Sequence, residues 1–157
     1  PEAKPEVNTG ERLCTKYEFA RLLSCGAAAI LQPNLGRAGG ILEGKKISAI
    51  AETYYAQIAP HLYCGPVVAA ANIQLVTSIP NFLILETIEK MDGFHAELLL
   101  TPLHWENGYI IPPTSPGLGV ELNMNIIAEH PWDGEELHLE MGQNPYDPAI
   151  DVNFAGG

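Results

Sequence analysis

Residues 27–61, AAAILQPNLGRAGGILEGKKISAIAETYYAQIAPH, decide the fold. Ala27 to Gln32 is a short apolar run that stops at Pro33-Asn34, the length and flanks of a strand buried on both faces. Gly39-Gly40 then opens a segment, Ile41 to Gln57, in which Ile41, Ile47, Ile50, Ala51 and Tyr54 return at helical spacing. Glu43, Lys45, Lys46 and Glu52 take the opposite side, so the segment reads as an amphipathic helix. Ile58-Ala59-Pro60 is a second brief strand, and it delivers His61. Strand, helix and strand follow one another with no room for an antiparallel return.

The alternation continues outward in both directions. Upstream, Thr15 precedes Glu18 by three residues, a capping box that starts a helix over Lys16 to Ser24. Before it, Pro1 to Thr9 is polar and its only strand-like residue is Val7, so no complete first strand is expected there. Downstream, Pro66 to Thr77 reads as a helix rich in Ala and Val, and Phe82 to Leu85 as a strand that delivers Glu86. This is α/β architecture with a parallel sheet, in which right-handed crossovers bring all strand C-termini to one face. Glu11, Asn34, His61 and Glu86 fall at those strand ends, spaced by 23, 27 and 25 residues, one β-α unit each time. A (β/α)8 barrel gathers its catalytic groups in this way, but closing one takes about 250 residues, so four units make half a barrel.

The expected organisation is a truncated lead-in over 1–9, a barrel half over 10–90, and an extension over 91–157 that packs on the barrel or on a capping domain. Within the extension, Gly108 to Ile111 and Gly119 to Leu122 read as short strands joined by a rigid turn at Pro112 to Gly117. Asn144 to Gly157 is a polar tail with no element.

Composition narrows the partners. The 8 basic and 19 acidic residues give a net charge of −11, which repels phosphate backbones and excludes nucleic acid. No apolar stretch approaches the ~20 residues of a membrane span, and the first residues lack the pattern of an export signal. Cys14, Cys25 and Cys64 have no metal-ligand spacing and are expected to be reduced, buried thiols, as in a cytoplasmic protein.

Each candidate has a plainer alternative. Histidine is the side-chain type whose charge can change near neutral pH, so His61 suits a general base or acid; the alternative is a hydrogen-bonded histidine at a strand end. Glu11 offers the carboxylate oxygen that hard Mg²⁺ selects, or it is a solvated acid before a helix. Glu86 follows four apolar residues, where an acid is costly unless hydrogen-bonded, metal-bound or protonated. Asn34 cannot ionise, so it can orient a neighbour, hold a ligand, or simply turn the chain after Pro33. Gly36 to Gly40 lacks G-x-G-x-x-G and reads as a tight loop opening the next helix. His95, His104, His130 and His138 show neither H-E-x-x-H nor zinc-finger spacing, and His95 lies just after the last strand. There is no G-x-S-x-G elbow for acyl transfer, and Tyr54, Tyr55, Trp105 and Trp132 are read as core or cover.

Together, Gly10-Glu-Arg12, Ile30-Leu-Gln-Pro-Asn-Leu-Gly-Arg-Ala-Gly-Gly40, Ala59-Pro-His61 with Gly65-Pro66, Leu85-Glu86 and Pro116-Gly-Leu-Gly-Val-Glu121 carry a resemblance. Over roughly residues 10–122 the chain resembles the C-terminal half of the mandelate racemase/muconate lactonizing enzyme branch of the enolase superfamily, above all the galactonate-dehydratase-like acid-sugar dehydratases. The resemblance implies the C-terminal half of a modified (β/α)8 TIM-like barrel with an additional capping domain. It also implies Mg²⁺ held by three carboxylates on successive strands, and abstraction of the proton α to a substrate carboxylate. Glu11 matches the third metal ligand, His61 the base or acid of a His-Asp dyad, and Glu86 the group that hydrogen-bonds the enediolate.

The implied reaction is hydro-lyase chemistry on a sugar acid, with His61 protonating the departing hydroxyl or removing the α-proton. Within the family the alternative is a racemase or epimerase; outside catalysis it is a half-barrel that acts only as a subunit. Two departures stand out. Asn34 occupies the position of the dyad's Asp, which lowers the basicity of the imidazole and weakens control of its tautomer. The remaining metal ligands, the opposite base and the capping domain would all precede residue 1. This chain alone is therefore expected to lack a complete metal site and to need an N-terminal half or a homo-oligomer partner.

Overall fold

The computed structural model describes residues 7–87, 91–132 and 134. A parallel sheet takes its strands in chain order: β1 (Asn8–Thr9), β2 (Ile30–Leu31) and β3 (Gln57–Ile58). Asn8 pairs with Ile30 and Thr9 with Leu31; Ile30 pairs with Gln57 and Leu31 with Ile58. A single parallel bridge, Ile58 to Phe82, marks the fourth position. Helices α1 (Lys16–Ser24), α3 (Gly40–Thr53) and α4 (Pro66–Val76) fill the crossovers, with the one-turn helix α2 (Leu35–Ala38) ahead of α3. This is part of a (β/α) barrel, as the alternation requires.

The helices form where local chemistry dictates. Thr15 caps α1: its Oγ1 accepts from the Glu18 amide at 3.4 Å, while Glu18 Oε2 accepts from the amides of Thr15 at 2.8 Å and Cys14 at 3.0 Å. Pro66 opens α4 at a position where a missing N–H costs nothing. The inner faces of the helices meet the sheet in one core of Phe19, Leu23, Leu31, Leu35, Ile47, Ala51, Ile58, Leu75 and Ile79, all buried. Across the outside, Glu43 of α3 ties α1 to α3 through Lys16 at 3.2 Å and also pairs with Lys46.

Several expectations are corrected. Asn8 and Thr9 do form a strand, although neither residue favours one; pairing with Ile30 and Leu31 imposes it. The helix read as extending to Gln57 ends at Thr53, and Tyr54 and Tyr55 are exposed instead of covering the core. The segment Phe82 to Leu85 contributes only the Phe82 bridge, and Leu83 and Ile84 are exposed. Gly36 to Gly40 opens the next helix as expected, but its first part is helical: α2 overlaps it through Ala38, and Gly39, at φ 96°, both closes α2 and opens α3. The three cysteines are unpaired as expected, but Cys14 and Cys25 are exposed and Cys64 is half-buried.

The extension contains α5 (Phe94–Glu97), an antiparallel hairpin of β4 (Trp105–Glu106) and β5 (Tyr109–Ile110), and α6 (Met124–Glu129). Of the expected strand at Gly119 to Leu122, only a bridge from Leu122 to Leu99 forms. Met91 and Leu103 pack with Leu62 and Ala69 in a small second cluster, and Gln74 of α4 donates to the Leu118 carbonyl at 3.3 Å. Trp105 is half-buried, whereas Trp132 is exposed. The polar tail from Asn144 and His138 lie outside the described residues. No helix among the described residues is long and apolar enough to cross a membrane.

Candidate functional site

Parallel pairing carries on past the strands and positions the site. The Gln32 amide donates to the Thr9 carbonyl at 2.9 Å, the Ala59 amide to Leu31 at 2.9 Å, and the His61 amide to Pro33 at 3.2 Å. Asn34 and His61 thereby become register partners, each three residues beyond a paired strand residue, Leu31 and Ile58. Gly10 turns the chain sharply between β1 and Glu11. At φ +123° it adopts a conformation that disfavours side chains, and a Cβ there would sit 2.6 Å from Cε1 of the buried Phe19. The Leu13 amide closes that turn on the Gly10 carbonyl at 3.1 Å.

Three of the four side chains expected at the strand ends meet. Asn34 Nδ2 lies 3.0 Å from His61 Nδ1, and His61 Nε2 lies 3.5 Å from Glu11 Oε2. Glu11 Oε1 in turn stands 3.6 Å from Arg12 Nε. The contact chain runs from buried to open: Asn34 is 7% exposed, the His61 side chain 17%, and that of Glu11 51%. Glu86 is exposed, four residues past the Phe82 bridge, and stands outside these contacts.

Asn34 occupies the N-cap of α2, a position where asparagine commonly caps with its own side chain, yet it makes no such bond. Its amide is committed to His61. The contact fits the neutral tautomer with its proton on Nε2, in which Asn34 Nδ2 donates and His61 Nδ1 accepts. In this arrangement the outer nitrogen gives a proton and does not take one. A carboxylate in place of Asn34 would accept from Nδ1–H and leave Nε2 as the basic atom.

Among the described residues, no group of three or more His, Cys, Asp or Glu side chains is placed to hold a metal ion. Glu11 is the carboxylate of this contact chain, and a single carboxylate falls short of the oxygen shell Mg²⁺ requires.

Other candidates lie apart. His95 belongs to α5, half-buried with its ring beside Phe94, and its Nδ1 has no hydrogen-bond partner among the described residues. His130 Nδ1 is 3.0 Å from the Ile126 carbonyl. A cleft of about 690 Å³ opens in the extension, lined by Thr101, His104, Pro113, Ser115 and Glu121 among others; Glu11, Asn34 and His61 do not line it. Sequence reasoning passed over Cys64, whose Sγ touches the Asn34 amide at 3.7–3.8 Å. Its place three residues after His61 is the only signal the sequence holds for that contact.

The comparisons with known proteins agree with this architecture. Residues 3–126 match the family model described as enolase C-terminal domain-like. A D-galactonate dehydratase of Verminephrobacter eiseniae is 39% identical over 130 residues, covering 79% of this chain and 34% of that protein. A D-gluconate/D-galactonate dehydratase of Picrophilus torridus is 38% identical over 137 residues, covering 85% of this chain and 35% of that protein. Among solved structures, a protein of mandelate racemase/muconate lactonizing enzyme type from Labrenzia alexandrii superimposes with a TM-score of 0.81 at 66% identity, covering 85% of this chain and 34% of that one. The chain therefore spans about a third of the length of the curated relatives it matches. It belongs to the mandelate racemase/muconate lactonizing enzyme branch of the enolase superfamily and corresponds to part of the family's C-terminal, barrel-forming domain.

Proposed function

We propose that this chain is the C-terminal part of a Mg²⁺-dependent acid-sugar dehydratase that removes the proton α to a carboxylate and eliminates water from an aldonic or aldaric acid. The observation that carries the reading is the contact chain Asn34–His61–Glu11 at the C-terminal ends of parallel strands, in a chain whose relatives are named as sugar-acid dehydratases. Bound Mg²⁺ would offset the negative charge that develops on the substrate carboxylate. Glu11 would supply one of its ligands, and the rest would come from the portions of the relatives that this chain does not span.

His61 is the acid of the elimination. Its Nε2–H, set by the Asn34 contact at Nδ1, passes to the β-hydroxyl as that group leaves and is replaced at Nε2 by a proton from solvent, so the ring stays neutral; the C–O bond breaks and water departs. The α-proton is taken by a base outside this chain, because Nε2 carries a hydrogen and has no free lone pair. The resulting enol becomes a 2-keto-3-deoxy acid. Glu86 takes the role the resemblance implies for it, a hydrogen bond to the enediolate. The same tautomer disfavours the racemase alternative, in which His61 would act as a base. The reading includes a cytoplasmic location, which three unpaired thiols support.

The test is product analysis. The full-length protein, incubated with Mg²⁺ and a panel of aldonic and aldaric acids in deuterated water, is expected to yield a 2-keto-3-deoxy acid from at least one of them. Exchange of the α-proton without elimination would replace this reading with the racemase one. Neither product nor exchange across the panel would end both.

A further inference from the structure

Asn72 of α4 is fully buried, and neither Nδ2 nor Oδ1 of its amide has a hydrogen-bond partner among the described residues. A buried amide in that condition is costly, and nearly every such group in a folded protein finds a partner. Its surroundings follow from its neighbours on the helix. Gln74, about 200° further round α4, donates to the Leu118 carbonyl of the extension, so Asn72 faces the other way, into the barrel. Val68 and Leu75, four residues before it and three after, share its side of α4. Each meets a glycine: a Cβ at Gly36 of α2 would stand 3.5 Å from Val68 Cγ2, and one at Gly44 of α3 would stand 3.0 Å from Leu75 Cδ2. Asn72 therefore lies opposite the stretch midway between those glycines, Gly39-Gly40-Ile41, the joint where α2 ends and α3 begins.

That joint needs what the amide also lacks. The N–H groups in the first turn of a helix have no acceptor within it, and Gly39, the N-cap of the 14-residue α3, has no side chain to supply one. Asn72 does not supply it directly, since Oδ1 makes no bond among the described residues. There is room for a third party. Two consecutive residues at the joint carry no side chain, and a Cβ at Gly40 would meet nothing within 4 Å. The occupant must donate to Oδ1 or accept from Nδ2, and must also accept an N–H from α3. Water does all of these. An ion would bring a buried charge that a neutral amide cannot offset.

We propose that Asn72 and the first turn of α3 hold a buried water between them, a solvent site that pins α4 to the joint between α2 and α3. The site lies outside the Asn34–His61–Glu11 contacts and supports them at one remove. Asn34 is the N-cap of α2, and α2 is a single turn, so fixing its far end fixes the segment that carries the asparagine. The inference does not depend on which reaction the protein catalyses.

Two measurements on the full-length protein test it. A crystal structure at a resolution that shows ordered solvent should place a water within about 3.2 Å of an Asn72 amide atom and of a backbone nitrogen among Gly40, Ile41 and Leu42. An Asn72 amide that touches only carbon there, or that pairs directly with a protein group, would overturn the proposal. The second measurement is the urea midpoint of Asn72→Leu, which replaces the amide by a side chain of similar size that binds no water. A dry, unpartnered amide is a burden, and its replacement by leucine would raise the midpoint. A water-bridged amide is an asset, and the same replacement should lower it, even though leucine is the better helix former. A midpoint at or above the parent's would overturn the proposal, and the crystal structure keeps the test decisive if Asn72→Leu does not fold.

Discussion

Asn34 and His61 face each other as register partners past the ends of β2 and β3, with the amide nitrogen of one 3.0 Å from Nδ1 of the other. An uncharged side chain thus governs a histidine that the family resemblance would pair with a carboxylate. The consequence is chemical: the ring presents N–H toward Glu11 and open space.

Replacing that amide by a carboxylate should reverse the role. In Asn34→Asp the imidazole would donate from Nδ1 and offer a lone pair at Nε2. The full-length variant is expected to lose elimination by about tenfold or more and to gain exchange of the α-proton with deuterated solvent, read by proton NMR of the recovered substrate. Elimination at the parent rate would refute the acid role of His61.

His61→Asn removes the acid while keeping a polar side chain of modest size at a position only 17% exposed. Loss of a positioned general acid costs about 10²- to 10⁴-fold in turnover. Steady-state kinetics should show that loss, and an unchanged far-ultraviolet circular dichroism spectrum should show that the fold survives.

Gly10→Ala tests whether the turn before Glu11 is required. The new methyl would stand 2.6 Å from Phe19 Cε1, at a φ of +123°. Backbone strain of this kind costs about 1–3 kcal/mol, and the clash with a buried ring adds to it. The urea midpoint should fall accordingly, whereas a midpoint equal to that of the parent chain would show that the turn relaxes freely.

Acid should loosen the α1 end of the fold first. The Glu18 carboxyl is held below its ordinary pKa by the Cys14 amide foremost and then by Thr15; that of Glu43 is lowered by Lys46 and then Lys16. A carboxyl whose pKa falls on folding contributes stability above its unfolded value and loses it as pH drops through the folded value. Stability measured by urea unfolding should therefore hold from neutral pH to about pH 5 and decline below it. Glu18→Gln should flatten part of that decline, and a profile identical to the parent's would show that the cap does not contribute.

What the sequence revealed depended on how local the cause was. The Thr15–Glu18 box and the proline at the start of α4 act within a single turn, and both helices start where expected. Strands were legible as positions but not as lengths, since each paired stretch in the parallel sheet spans two residues. Asn8–Thr9 is extended only because Ile30–Leu31 lies beside it, a cause far away in the chain. The β4–β5 hairpin did leave a local mark that went unread: Asn107-Gly108, both at positive φ, is the preferred pair for a two-residue turn. At the site, β-α spacing was enough to name Glu11, Asn34 and His61. It could not show that Asn34 would forgo capping α2, or that Cys64 would sit behind it, because both depend on how two loops pack together.

The forgone cap ties the imidazole to the backbone of α2. Asn34 cannot keep Nδ2 on His61 Nδ1 and turn Oδ1 back onto α2 at once, so whatever draws it off the ring frees it to accept from the amide of Gly36 in the first turn. Deuterium uptake at that amide thus becomes a clock for the assembled state: quick while the imidazole holds the asparagine, slower once it lets go.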